Sequence, residues 1–308
     1  MLTVERIYKM NNWMKRILIG VFFGIVVFSS SAFPNQETDE INAAIKQQKA
    51  KWTAGETTIT KLSEKDRQKR LGLIPAKVSE EVYAIPKLMS VPSSFDWRNY
   101  NGNFVTPIRD QGDCGSCWAF ATTAALESQE LIVNNTPGIN LDLSEQMLVC
   151  CSNSGSCSGG YVHTSSDYIR DTGLPSESCC PYTATNSSCN INTCTSECID
   201  LHTITGWHWI TRSVETLKSE LCTYGPLIVG MRVYRDFFSY QSGIYSYVKG
   251  PYKGDHAILL VGYNDAGQYF IVKNSWGAGW GESGYFRIAY SDVTSVVNFG
   301  YSGIAYEK

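Results

Sequence analysis

The 308-residue sequence predicts an α+β protein with two lobes and a cleft between them. Three observations point there. Residues 116–133 carry Ala119, Ala125, Leu126 and Leu131 with no Gly or Pro, as a helix requires. The second half of the chain is a series of short runs rich in Val, Ile and Tyr, separated by glycines, which read as strands. All 11 cysteines lie between Cys114 and Cys222, so cross-linking is confined to the body.

Taken in order, Lys15 and Arg16 precede an uncharged apolar run over residues 17–28, followed by Ser29-Ser30-Ser31-Ala32. A basic start, a short apolar run and small residues make residues 1–32 a signal peptide to be cleaved. The run falls short of the about 20 residues of a comfortable span, a retained anchor being the other reading. Residues 33–88 are polar and free of cysteine. Within them, residues 39–51 place Ile41, Ala44, Ile45 and Gln48 on one helical face, with Asp39-Glu40 at the start and lysines at the end, as the helix dipole prefers. Alone, such a piece is marginal.

Residues 89–308 form the compact body. After the helix at 116–133, shorter helices are expected near 144–150 and 163–170, and strands at 227–233, 257–263, 269–273 and 285–290. The segment 33–88 has 10 Lys and Arg against 8 Asp and Glu, and the body 12 against 20. A basic segment docking on an acidic body fits these numbers, and so do two unrelated surfaces. The net charge of −3 carries no footprint of a nucleic-acid binder.

The cysteines are odd in number, so ten can pair and one is left as a reactive thiol. Neighbours such as Cys150-Cys151 and Cys179-Cys180 do not fit zinc-ligand spacing, and no metal or cofactor is expected. Disulfides imply an oxidising compartment, secreted or lysosome-like.

The strongest local signal is Gln111-Gly112-Asp113-Cys114-Gly115-Ser116-Cys117-Trp118-Ala119-Phe120. Cys117 opens the helix, where free N–H groups and the dipole favour a negative sulfur. Further blocks are Asp96-Trp97-Arg98, Ser144-Glu145-Gln146, Cys157-Ser158-Gly159-Gly160-Tyr161, Asp255-His256-Ala257 and Lys273-Asn274-Ser275-Trp276-Gly277. With these blocks in this order, the body resembles the papain family of cysteine peptidases from about Val91 to the end.

The resemblance implies a helical N-terminal lobe and an antiparallel, barrel-like C-terminal lobe. It implies Cys117 as nucleophile, His256 as its base, Asn274 holding the imidazole, and Trp276 shielding that contact. Gln111 and the Cys117 N–H would be the oxyanion donors. Gly159, Gly160, Tyr161, Val162, Asp255 and Ala257 would line the substrate cleft. It also implies disulfides Cys114–Cys157 and Cys151–Cys189; Cys150, Cys179, Cys180, Cys194, Cys198 and Cys222 could form three more. A half-cystine role for Cys117 and a core role for His256 are the bland alternatives. His163, His202 and His208 show no partner pattern and read as structural.

Residues 33–88, with Lys51-Trp52-Thr53-Ala54-Gly55 and Leu71-Gly72, resemble the prosegment of cathepsin B, which implies an intramolecular inhibitor lying through the cleft. A plain linker is the alternative. The histidine-bearing insertion of cathepsin B is missing between Gly160 and Cys179, which favours endopeptidase action. Aligned with the family's last block, Glu307 would floor the pocket for the P2 side chain; it could equally be a frayed surface residue. The expectation is a secreted zymogen, monomeric, acting on peptides or proteins. A peptide ligase or transferase with the same residues, and a dead binding protein on the same scaffold, are the competing readings.

Overall fold

The computed structural model describes residues 33–76, 90–189 and 200–307. The chain divides into two units, residues 1–36 and 37–308, and apart from residues 33–36 everything described below lies in the second. The expected signal peptide and the boundary at 88/89 lie outside the described residues, as do Cys194 and Cys198.

The N-terminal segment contributes α1 (Phe33–Gln48), β1 (Lys51–Ala54) and α2 (Glu64–Gln68). Ile41 and Ile45, one turn apart, are the buried pair of α1. The helix stops at Gln48 because Lys49 takes a left-handed turn, with φ 55°. The chain expected to remain helical to residue 51 therefore enters β1, which buries Trp52 and Ala54 on alternate positions. Ser63 caps α2 by accepting from Asp66 N–H at 3.2 Å.

The helical lobe holds β2 (Ser94–Asp96), α3 (Cys117–Val133), α4 (Glu145–Cys151), the short β3 (Gly155–Ser156) and β4 (Gly159–Gly160), and α5 (Val162–Asp171). Residues 117–131 of α3 are buried on every face, because the helix runs between the lobes and packs on α4, α5 and the sheet. Then follow β5 (Gly206–Trp209), α6 (Val214–Tyr224), β6 (Leu227–Tyr234), β7 (Tyr240–Tyr245), β8 (Tyr252–Asn264), β9 (Tyr269–Lys273), β10 (Tyr285–Ala289) and β11 (Tyr301–Glu307).

The main sheet runs β1-β7-β10-β9-β8-β6-β11-β5, with β2 paired to β8. Every pair is antiparallel except β7 with β10. The N-terminal segment thus adds β1 as the outermost strand beside β7. An α+β fold with a mainly antiparallel sheet is as expected, while β8 is longer than expected and takes in His256 opposite Met231 of β6.

Cys114–Cys157 and Cys151–Cys189 are disulfides, and Cys179 is disulfide-bonded as well. Cys150 and Cys222 are thiols, in addition to Cys117. The expectation that ten cysteines pair and one remains is therefore not met. Cys150 is bonded instead to Gln146 Nε2 (2.7 Å) and Ser187 Oγ (3.0 Å), and Cys222 lies 3.5 Å from Tyr263 Oη.

Candidate active site

Cys117 is the first residue of α3, and no acidic side chain lies in that first turn to oppose a negative sulfur. The Cys114–Cys157 disulfide and the Gly115 N–H bond to Cys157 O (2.8 Å) fix the turn that delivers it. Its Sγ lies 3.4 Å from Ala257 N–H on β8, so the sulfur faces the strand that carries His256.

His256 is completely buried. Its Nε2 is 2.7 Å from Asn274 Oδ1, and the same oxygen accepts from Ser275 N–H at 2.8 Å. A backbone N–H only donates, so Asn274 presents oxygen to the ring, and Nε2 must carry the proton. That leaves Nδ1 as the ring's lone-pair nitrogen, buried and without another hydrogen bond. Trp276 lies over the imidazole, with ring centres 4.8 Å apart, and is itself backed by Phe237, Phe238 and Trp280. This aromatic shell keeps water from the His256–Asn274 contact.

Gln111 is buried too. Its Oε1 accepts from Ser275 Oγ at 2.7 Å, which turns Nε2 toward the cleft, where it donates to Cys114 O (2.7 Å) and to Arg70 O (3.2 Å). The Lys273-to-Trp276 turn therefore aligns two groups at once, His256 through Asn274 and Gln111 through Ser275. The second link was not read from the sequence, although Ser275 sits inside a recognised block.

The N-terminal segment runs through this cleft. Gly160 N–H donates to Gly72 O at 2.8 Å, Ile74 N–H to Gly160 O at 2.9 Å, and Leu73 N–H to Asp255 O at 3.2 Å. A Cβ on Gly72 would lie 1.9 Å from Gly115 O, so only glycine passes there. Leu73 is buried beside Gly230, and Arg70 pairs with Asp110 at 2.5 Å.

Covered in this way, the site is dry. Burial pushes the Cys117 thiol up to about 11, against the opposing N–H groups of Ala257, Gly72, Trp118 and Leu73. Burial pulls His256 down to about 4, with Asn274 opposing. Both shifts favour the uncharged pair.

Gly159, Gly160 and Asp255 are thus brought to the cleft with Cys117 and His256. Tyr161 opens α5, one-third exposed, with Val162 buried behind it, and Ala257 is buried against the sulfur. Glu307 is the last residue of β11. Its carboxylate accepts from His208 Nδ1 at 2.7 Å, and His208 Nε2 reaches Glu220 on α6 at 2.9 Å. His208 does have partners, two carboxylates, because β5 pairs with β11 and α6 packs beside it. Between Gly160 and Cys179 the chain is taken up by α5 and a turn.

Comparison with known proteins follows the same lines. A model of the papain family cysteine proteases matches residues 91–304. A cathepsin L-like proteinase of Fasciola hepatica is 41% identical over 208 residues, covering 65% of this chain and 61% of that protein. The match thus spans less than two thirds of that relative's length. A cathepsin B-like protein, CP3 of Giardia intestinalis, is 30% identical over 280 residues, 86% of this chain and 93% of that one. Among solved structures, a digestive procathepsin L2 proteinase of Tenebrio molitor larval midgut superposes with TM-score 0.74 at 29% identity, covering 89% of both chains.

Proposed function

The chain belongs to the papain family of cysteine proteases, and on that premise we propose that it is a secreted cysteine endopeptidase made as an inactive precursor. Residues 1–32 are its signal peptide, 33–88 its inhibitory prosegment and 89–308 the peptidase. The observation that carries the reading is the aligned set at the cleft: Cys117 at a helix start, His256 with Nδ1 unprotonated, and Asn274 fixing that tautomer.

Uncovered and hydrated, the thiol gives its proton to His256 Nδ1, and the thiolate is stabilised by the helix N–H groups. The sulfur attacks a peptide carbonyl carbon, a C–S bond forms, and the carbonyl electrons move to oxygen. Gln111 Nε2 and Cys117 N–H donate to that oxyanion. The bond that Gln111 Nε2 already gives to Arg70 O in the precursor supports this role for Gln111. The imidazolium then protonates the leaving nitrogen and the C–N bond breaks, leaving a thioester. Water, deprotonated by His256, releases the acid and restores the thiol.

The five disulfide-bonded cysteines among the described residues support a secreted or lysosome-like setting.

The test is to express residues 33–308 under oxidising conditions, acidify with mild reductant, and follow mass and fluorogenic peptide hydrolysis, with Cys117→Ala alongside. Loss of a fragment of roughly 60 residues with the onset of hydrolysis, neither occurring in the Ala variant, is the expected result. A wild type that sheds the fragment and cleaves nothing in a broad peptide library would refute the peptidase assignment.

A further inference from the structure

We propose that Tyr182 is a positioning residue for the oxyanion site, its hydroxyl holding the Gln111 segment in register with the start of the Cys117 helix. The proposal rests on the peptidase reading above and adds to it a residue that touches neither the substrate nor the reacting atoms.

Tyr182 Oη lies 2.8 Å from Gln111 O and 2.6 Å from Ser116 Oγ. A carbonyl oxygen only accepts, so the tyrosine proton goes to Gln111 O; the Ser116 hydroxyl must then donate to Tyr182 Oη. One hydroxyl is therefore bonded to both halves of the oxyanion site. Gln111 supplies the side-chain amide, and Ser116 immediately precedes the Cys117 N–H.

Ser116 itself gives the second observation. It is the N-cap residue of α3, yet its side chain caps nothing. Ser63, Ser144 and Ser213, at the same position on α2, α4 and α6, each accept from the backbone N–H three residues on. Ser116 alone among these is turned away, toward Tyr182. A helix start that forgoes its ordinary cap for a bond to a loop 66 residues distant is being held by that loop.

The tyrosine is fixed in turn. Its ring stands edge-on to Phe120, one turn along α3, with centroids 4.8 Å apart at 87°, and its N–H donates to Glu177 Oε1 at 2.6 Å. Ring and backbone anchor the residue, so loss of the hydroxyl alone should leave the packing unchanged. Two donors aimed at one developing charge need placement to within about 0.5 Å, and removing one such donor outright costs about 100- to 1,000-fold in kcat. Loosening the register between them should cost a part of that.

The experiment compares processed wild type, Tyr182→Phe, Gln111→Ala and the double variant, with Ser116→Ala breaking the same link from the other side. Hydrolysis of a fluorogenic peptide and alkylation of Cys117 by iodoacetamide are both followed. Alkylation needs the thiolate but builds no oxyanion.

The expected result is a kcat about tenfold lower in Tyr182→Phe with KM and alkylation rate unchanged, the same direction in Ser116→Ala, and no further loss when Tyr182→Phe is added to Gln111→Ala. A kcat equal to wild type overturns the proposal. So does an undiminished loss in the Gln111→Ala background, or a fall in alkylation that keeps pace with hydrolysis, which would mark general distortion. A processed wild type that alkylates readily but hydrolyses no peptide overturns the peptidase reading itself, and this one with it.

Discussion

At the scale of single residues, the covered thiol sets a clear pH behaviour. With Cys117 raised to about 11 and His256 lowered to about 4, the precursor holds a thiol and a neutral imidazole across the whole range between. Iodoacetamide should therefore label the Cys117 peptide of the precursor slowly at about pH 6 and faster as pH climbs toward 11. After the prosegment is removed, labelling at about pH 6 should be fast, because water reaches the pair and both shifts relax. Mass spectrometry of the Cys117 peptide separates it from the thiols Cys150 and Cys222; equal rates before and after processing would contradict the account. Glu307 invites a second test. With its carboxylate held by His208, Glu307→Gln should leave the ratio of Arg to Leu cleavage at P2 unchanged and act on stability instead. His208 is raised above its ordinary value first by its bond to Glu220, then by Glu307. Stability from this clamp is complete below about pH 6.5, the unfolded value, and is lost as pH rises through the raised folded value. At about pH 6 the variant should melt about 2–4 °C lower, a partly exposed pair being worth about 1 kcal/mol, and the gap should close at alkaline pH.

At the scale of elements, latency depends on an extended piece of prosegment with no side chain at its narrowest point. Gly72→Ala would drive a Cβ into Gly115 O, and backbone there cannot give way cheaply. The precursor should become leaky, hydrolysing peptide before any fragment is released, while the processed enzyme, which has lost residue 72, should match wild type. Activity assays with and without acid treatment read this directly, and a fully latent Gly72→Ala precursor would show that β1 and α1 suffice for inhibition. The same elements show what the sequence made legible. The helices at 117–133, 145–151 and 162–171 and the strands at 227–234, 269–273 and 285–289 were expected within a residue or two, because each has its own periodicity. β1, β5, β7 and β11 were not read. They are short, β7 and β11 are interrupted by Ser and Gly, and all four exist through pairing with strands distant in sequence, as Trp52 with Gly243 and Ala305 with His208. α6 was also missed, although Ser213 gives it a proper cap. At the site, Cys117, His256, Asn274 and Gln111 stood out because they sit in contiguous motifs. The bonds of Tyr182 to Gln111 and Ser116 cross 71 and 66 residues through a single side chain and leave no local pattern.

At the scale of the whole molecule, the two lobes are joined behind the cleft by buried charge. Lys273, on β9 just before Asn274, is 5% exposed and donates to Thr106 Oγ1 at 2.9 Å; Thr106 donates in turn to Glu127 Oε2 on α3. Glu127 also accepts Leu143 N–H at 3.0 Å, and Glu145 is buried nearby. Burial lowers Lys273 and raises Glu127, so each is tolerated only through its hydrogen bonds and the other's charge. This bridge spans the helix of Cys117 and the turn of Asn274, and any slack in it would separate Cys117 from Asn274, which holds the His256 ring. Lys273→Met should leave Glu127 buried without its counter-charge. The expected cost is about 3–5 kcal/mol, a drop in Tm of roughly 10 °C, with kcat reduced because Asn274 loses its anchor. Adding Glu127→Gln removes the stranded charge, so the double variant should regain much of the Tm. It should not regain kcat, because the tie between the lobes is still missing. Thermal melts and kcat on the two variants separate these effects. A double variant as unstable as Lys273→Met would mean that packing of the lysine stem, rather than charge, holds the lobes together.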